Sequence, residues 1–234
     1  MDVFISGLTE AFNLLIGLDP YVLDIISVSM TVSGIALVIA ALIGIPLGAF
    51  MGLTNFPGKH FVVALLYTGM GFPPVVIGLF VFILLSRAGT MGSLDWLFTP
   101  NAMIFAQSII SFPLVAGFTM TAVMGVDQSL LQQLKALGAT KKQILWATVK
   151  EARLGVLVSI IAGFGAIISE VGAVMMVGGN IEGKTRVLTT AVVLETRQGN
   201  FGVAMSFGLI LLAITFIVNF TMLHFQKRKL LGRD

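Results

Sequence analysis

The chain has 234 residues, of which 57% are hydrophobic and only 11% charged, with a formal net charge of +3. Ordinary soluble domains carry about 25% charged residues, so this composition excludes a water-soluble globular domain and makes lipid the solvent for most of the chain. Cysteine is absent and the only histidines are His60 and His224, which excludes disulfides, thiolate metal sites, a cysteine nucleophile and a histidine-rich metal centre.

Residues 1–20 place Phe4, Leu8, Phe12 and Leu15 on one helical face and Ser6, Glu10 and Asn13 on the other, the pattern of a short interfacial helix. No basic region precedes it, since the first Lys or Arg is Lys59, so it does not read as a cleavable signal. Asp19-Pro20 ends it.

A bilayer core needs about 20 apolar residues in helix. Stretches without a charged residue cover 25–58, 60–86, 96–126, 154–181 (interrupted by Glu170) and 198–226. Each is long enough to cross, so the expectation is an all-α polytopic membrane bundle of five transmembrane helices. The strict alternation of a membrane barrel is missing.

Lys and Arg then set the orientation. Alternating sides puts Lys59, Lys135, Lys141, Lys142, Lys150, Arg153, Lys227, Arg228, Lys229 and Arg233 on one face. Arg87, Lys184, Arg186 and Arg197 fall on the other. The richer face is cytoplasmic, which gives an N-out, C-in chain.

Pro73, Pro74 and Pro113 lie within spans, where proline kinks helices and frees carbonyls. Two readings stay open: simple shaping, or kinks that border a permeation path with Ser108, Ser111 and Thr119 offering hydroxyls.

The stretch 127–153 carries local design. Ser129 to Gln132 spells a capping box, and Thr140 to Gln143 a second. Gly138 between them suits the left-handed end of a helix. Leu130, Leu134 and Leu137 share one face, and Ile144, Leu145 and Thr148 continue the pattern. This is helix, glycine turn, helix: either an ordinary amphipathic loop or a docking surface for a soluble partner.

Glu170 is the one ionisable residue inside a span. A carboxylate there costs about 2.5–3.5 kcal/mol on insertion scales, so it must face protein or water. Gly163, Ala166 and Ala173 on its face suit close helix contact. A structural or gating role and a proton relay are both open.

Residues 178–185, GGNIEGKT, satisfy the phosphate-loop pattern G-x-x-x-x-G-K-[ST]. A phosphate loop needs a strand before it and a helix N-terminus after it. This stretch follows a membrane span and faces outward, away from nucleotide. Its glycines end a helix and turn the chain. Lys184, Thr185, Arg186 and Arg197, beside Glu182 and Glu195, stand at the outer mouth. An anion funnel, an ordinary charged loop and salt bridges to a soluble partner are the three readings.

Residues 132–155, QQLKALGATKKQILWATVKEARLG, resemble the coupling motif of ABC-importer permeases, EAA-x₃-G-x₉-I-x-L-P. Gly138 matches the glycine, with Leu137, Ala139 and Thr140 around it. The EAA triplet falls on Gln132, Gln133 and Leu134, and the terminal proline on Glu151, so both depart from the pattern. GFPPVVIGLFVFILL (71–85), SFPLVAGF (111–118) and SEVGAVMMVGGNIEGKTRVLTTAVV (169–193) look like segments of the molybdate, tungstate and sulfate branch, in the same order. The 178–200 stretch looks most like tungstate-type permeases.

The resemblance implies a type I ABC importer permease fold, one domain over 1–234 with coupling helices at 129–150, in a prokaryotic inner membrane. It implies a homodimer, a cytoplasmic ATPase dimer that holds ATP and magnesium, and an external oxyanion-binding protein. This chain would bind no cofactor or nucleic acid and would not itself be an enzyme. Tungstate is the first expected substrate, molybdate the second. "SEVGA" resembles the branch's G-E-[FV]-G-A, in support of the structural or gating role for Glu170. The rival is a proton-coupled secondary transporter or channel that uses Glu170.

Overall fold

Pro20 opens the first helix instead of only ending what precedes it. The Asp19 carboxylate accepts the Tyr21 N–H at 2.9 Å, and proline at the first helical position gives up an N–H that had no intrahelical acceptor anyway. In this computed structural model, which describes residues 9, 17 and 19–231 (side chains to 224), helix α1 runs Pro20–Leu53 without interruption at Pro46. The interfacial helix expected over 1–20 lies outside the described residues, apart from Thr9, Gly17, Asp19 and Pro20.

Pro73 and Pro74 break the chain, where the sequence led us to expect a kink. Helix α2 is Lys59–Met70 and α3 is Pro74–Leu85, with Pro73 extended at the N-cap and Pro74 at the first helical position. Two adjacent prolines remove two donors, a loss that only a helix start tolerates. Pro113, by contrast, lies inside the continuous helix α4, Pro100–Met124.

The remaining helices are α5 Gln128–Ala136, α6 Lys141–Glu151, α7 Arg153–Ile168, α8 Gly172–Gly178, α9 Leu188–Gln198 and α10 Phe201–Leu231. Helices α6 and α7 meet at 73°. No strand occurs among the described residues. Among the described residues, three helices are unbroken and apolar enough to cross a membrane: Pro20–Leu53, Pro100–Met124 and Phe201–His224. Counting the two bent pairs, α2 with α3 and α6 with α7, each as one span raises the number among the described residues to at most five.

The chain divides into two compact units. The first takes residues up to 36, 73–107 and from 165 onward. Its core packs Val32, Val81, Leu85, Met103, Val174 and Val177 together, and a second cluster joins Val22, Ile25, Leu188, Ala191, Phe207 and Ile210.

The second unit takes Leu37–Phe72 and Ser108–Phe164. Here small residues let helices approach to backbone contact. A Cβ on Gly48 of α1 would overlap the carbonyl oxygen of Ala116 on α4. On another side of α4, Thr119 and Ser159 of α7 hydrogen-bond at 3.0 Å, both buried.

Candidate functional site

The most elaborated local structure is the α5–α6 hairpin. Helix α5 is capped by Asp127, whose carboxylate accepts the Ser129 N–H at 2.8 Å. This corrects the box expected at Ser129: that residue sits inside the first turn, one acceptor having already been supplied by the aspartate before it. The Ser129 N–H holds the Asp127 carboxyl below its ordinary value, with a second contribution from the Ser129 hydroxyl. The box at Thr140 forms as expected, with the Gln143 side chain accepting the Thr140 N–H at 2.7 Å and Thr140 Oγ1 accepting the Gln143 N–H at 3.4 Å.

Between the two helices Gly138 adopts φ +76°. The Ala139 N–H donates to Leu134 O and the Gly138 N–H to Lys135 O, each at 3.0 Å, which is the two-bond Schellman ending of a helix. The turn brings Leu134, Leu137, Gly138, Ala139, Lys142, Gln143, Trp146 and Ala147 around a groove of about 600 Å³. Leu137 is 83% exposed and Trp146 67%, and Lys150 Nζ stands 5.1 Å from the Trp146 ring centre.

Of the sequence-predicted residues, Gln133 and Glu151 line a different hollow of about 490 Å³ with Asp127 and Ser129. Gln132 is exposed. Trp146 had escaped notice, although tryptophan on a lysine-rich helix is a visible signal.

Glu170 does not sit in mid-helix. Helix α7 stops at Ile168, α8 starts at Gly172, and Glu170 occupies the break. Its Oε1 accepts the Ala173 N–H at 2.8 Å, so the carboxylate caps α8. Two outside side chains complete the arrangement: Gln107 of α4 donates to Ile167 O at 3.0 Å, and Thr189 of α9 donates to Glu170 O at 3.0 Å. Ser169, which is exposed, donates back to Gly165 O at 2.7 Å. Gln107 was missed, though a Gln inside a long uncharged run is costly enough to flag.

The 179–187 loop is a wound knot. Gly179, Asn180 and Gly183 have left-handed φ of 74°, 53° and 67°. Thr185 is buried inside the knot, where its Oγ1 donates to Gly178 O at 2.6 Å and accepts the Ile181 N–H at 2.9 Å. Arg186 turns inward and donates to the Tyr21 hydroxyl at 2.7 Å and to Glu182 at 2.9 Å. Only Lys184 and Arg197 of the four predicted mouth residues are freely exposed. The remaining path candidates are dispersed. Ser111 and Pro113 are buried inside α4, Ser108 is half-buried, Pro74 half-buried and Pro73 exposed.

Residues 44–230, a stretch that contains the hairpin, the break and the knotted loop, match the family described as Binding-protein-dependent transport system inner membrane component. The chain belongs to that family. This inner membrane transport component is 40% identical over 227 residues to the tungstate uptake system permease protein TupB of Peptoclostridium acidaminophilum, 97% of this chain and 100% of the relative. It is 41% identical over 213 residues to a probable anion ABC transporter permease protein of Haloferax volcanii, 89% and 92% of the two chains. At 20% identity it has the fold of a chain in the crystal structure of a bacterial alginate ABC transporter in complex with alginate pentasaccharide-bound periplasmic protein, with a TM-score of 0.73 over 95% of this chain and 86% of that one.

As an inner membrane transport component the chain has a use for its exposed apolar surface. Leu42 on α1 is 71% exposed and Phe216 on α10 68%, a cost in water and none against lipid tails. The same setting gives a use to the side chains that tie Ile167 O and Glu170 O at the break, because lipid offers no hydrogen bonds.

Proposed function

We propose that the chain is the membrane-spanning permease subunit of an ATP-driven ABC importer for a tetrahedral oxyanion, tungstate first and molybdate second. The observation that carries this is the 40% identity to a tungstate uptake permease across 97% of the chain. Tungstate and molybdate are alike in shape and charge, which makes molybdate the natural second substrate.

In this reading the whole chain is one permease domain with five spans, N-out and C-in. They are α1, α2 with α3, α4, α7 with α8, and α10. At about 1.5 Å per residue α7 alone reaches about 24 Å and needs α8 to cross a bilayer core of about 30 Å. Two copies form the path. The α5–α6 hairpin lies on the cytoplasmic side and docks a separate ATPase dimer through Gln132, Gln133, Leu134, Leu137, Gly138, Ala139, Thr140 and Glu151. ATP and magnesium belong to that partner.

An external binding protein delivers the anion to a mouth marked by Lys184, Thr185, Arg186 and Arg197. Pro73, Pro74, Ser108, Ser111, Pro113 and Glu170 are the candidates for lining or gating the path. Alternating access follows: ATP draws the ATPases together, the hairpins move, and the two permease halves open outward before hydrolysis resets them. The proton-coupled alternative loses ground because the Glu170 carboxylate is engaged as a helix cap.

The test uses the assembled complex in proteoliposomes. Binding protein loaded with tungstate should stimulate ATP hydrolysis and anion uptake more than the molybdate- or sulfate-loaded form. Uptake that follows a pH gradient without ATP would overturn the proposal.

A further inference from the structure

The carbonyl of Ile167, one residue before the end of α7 at Ile168, receives two donors. One is the Glu170 N–H at 3.2 Å. The other is Gln107 Nε2 at 3.0 Å, from a buried side chain sixty residues earlier on α4. Three residues on, the Glu170 carbonyl accepts from Thr189 Oγ1 of α9 at 3.0 Å. The peptides on both sides of the break are thus tied to neighbouring helices, and the Glu170 carboxylate caps the segment that follows.

Gln107 is not there for packing alone. Its Oε1 is buried with no hydrogen-bond partner among the described residues, a desolvation cost that an apolar side chain of the same length would avoid. What the amide alone supplies is the bond to Ile167 O. Ile167 O already accepts the Glu170 N–H, so the amide adds a second, long-range bond that draws this carbonyl toward α4 and fixes where the last turn of α7 lies. The direction in which Ser169 and Glu170 project follows from that end point.

We infer that Gln107 is a positioning residue for transport: through its bond to Ile167 it sets the geometry of the helix break that carries Ser169 and Glu170. The inference rests on the proposed reading of Glu170 as bordering the path. Thr189 acts on the same break from α9, so the two tethers form one device.

Gln107→Met keeps length and removes both the donor and the unpartnered acceptor. In the assembled complex, transport per ATP hydrolysed should fall by about fivefold, the effect of one lost hydrogen bond of ordinary strength. Assembly with the ATPase and thermal stability should stay close to the unaltered chain. Should Gln107→Met fold poorly, Thr189→Val cuts the other tether and must give the same uncoupling. The double variant should be less than additive, because both act on one element.

A geometric readout is at hand, since the chain has no cysteine. Ser169→Cys should react with a small hydrophilic thiol reagent, at a rate that Gln107→Met changes several-fold. An unchanged ratio of transport to hydrolysis, or a loss no greater than the loss of folded protein, overturns the positioning role. Ser169→Cys that reacts only with lipid-soluble reagents overturns the path reading, whatever Gln107→Met does to coupling.

Discussion

Gly138 has φ +76° and open space around the position where a Cβ would stand. Alanine there meets no clash and carries only the left-handed backbone strain, about 1 kcal/mol. Proline cannot adopt the angle at all and also removes the N–H that bonds Lys135 O. Gly138→Ala should therefore weaken ATPase recruitment by about fivefold in a co-purification titration, and Gly138→Pro should abolish uptake with membrane insertion intact. Equal uptake by all three chains would remove the hairpin from the docking role. Arg186 shows the opposite lesson at this scale. Its charge is plain in the sequence, yet its bond to a tyrosine 165 residues away is what decides that it braces the loop.

At the scale of the element, the hairpin and the break differ in what holds them. The hairpin is held by bonds between residues no more than five apart, at Asp127, Thr140, Gln143 and Gly138. Its acid response follows from Asp127. Because the folded carboxyl lies below its unfolded value, the cap's contribution is complete above the unfolded value and is lost as pH falls through the folded one. Protection of the Ser129 amide against hydrogen exchange, taken relative to its intrinsic rate, should fall over that acidic window, and Asp127→Ala should show no such step. Thr140→Ala should cost the hairpin about 1 kcal/mol. The break is held in addition by side chains of α4 and α9 that lie far away in sequence. This is why its proline-free sequence, ISEVG, reads as ordinary helix.

At the scale of the molecule, the second unit depends on how closely α1 and α4 approach. Alanine at Gly48 would drive a methyl into the Ala116 carbonyl, an overpacking cost of about 1–3 kcal/mol. Gly34 and Gly208 have open space within 4 Å of where a methyl would stand and serve as controls. Thermal unfolding in detergent should therefore drop for Gly48→Ala and stay level for Gly34→Ala and Gly208→Ala. Equal melting in all three would mean that α1 and α4 are not in backbone contact.

The sequence by itself determined the membrane setting, the all-α class, the family and the hairpin with its glycine turn. Charge poverty and apolar run length are sums over the chain, and caps close within a few residues, so neither needs a third dimension to be read. Only the structure decided that Pro73-Pro74 ends one helix and starts another. It also decided that Thr185 is buried, that Arg186 faces Tyr21, and that Glu170 caps a broken helix held by Gln107 and Thr189. These outcomes turn on which partner reaches a freed backbone group first. Ile167 finds its partner 60 residues away, and Leu188 finds Ser29 159 residues away. In lipid, where water cannot satisfy such groups, those distant side chains settle what each residue does.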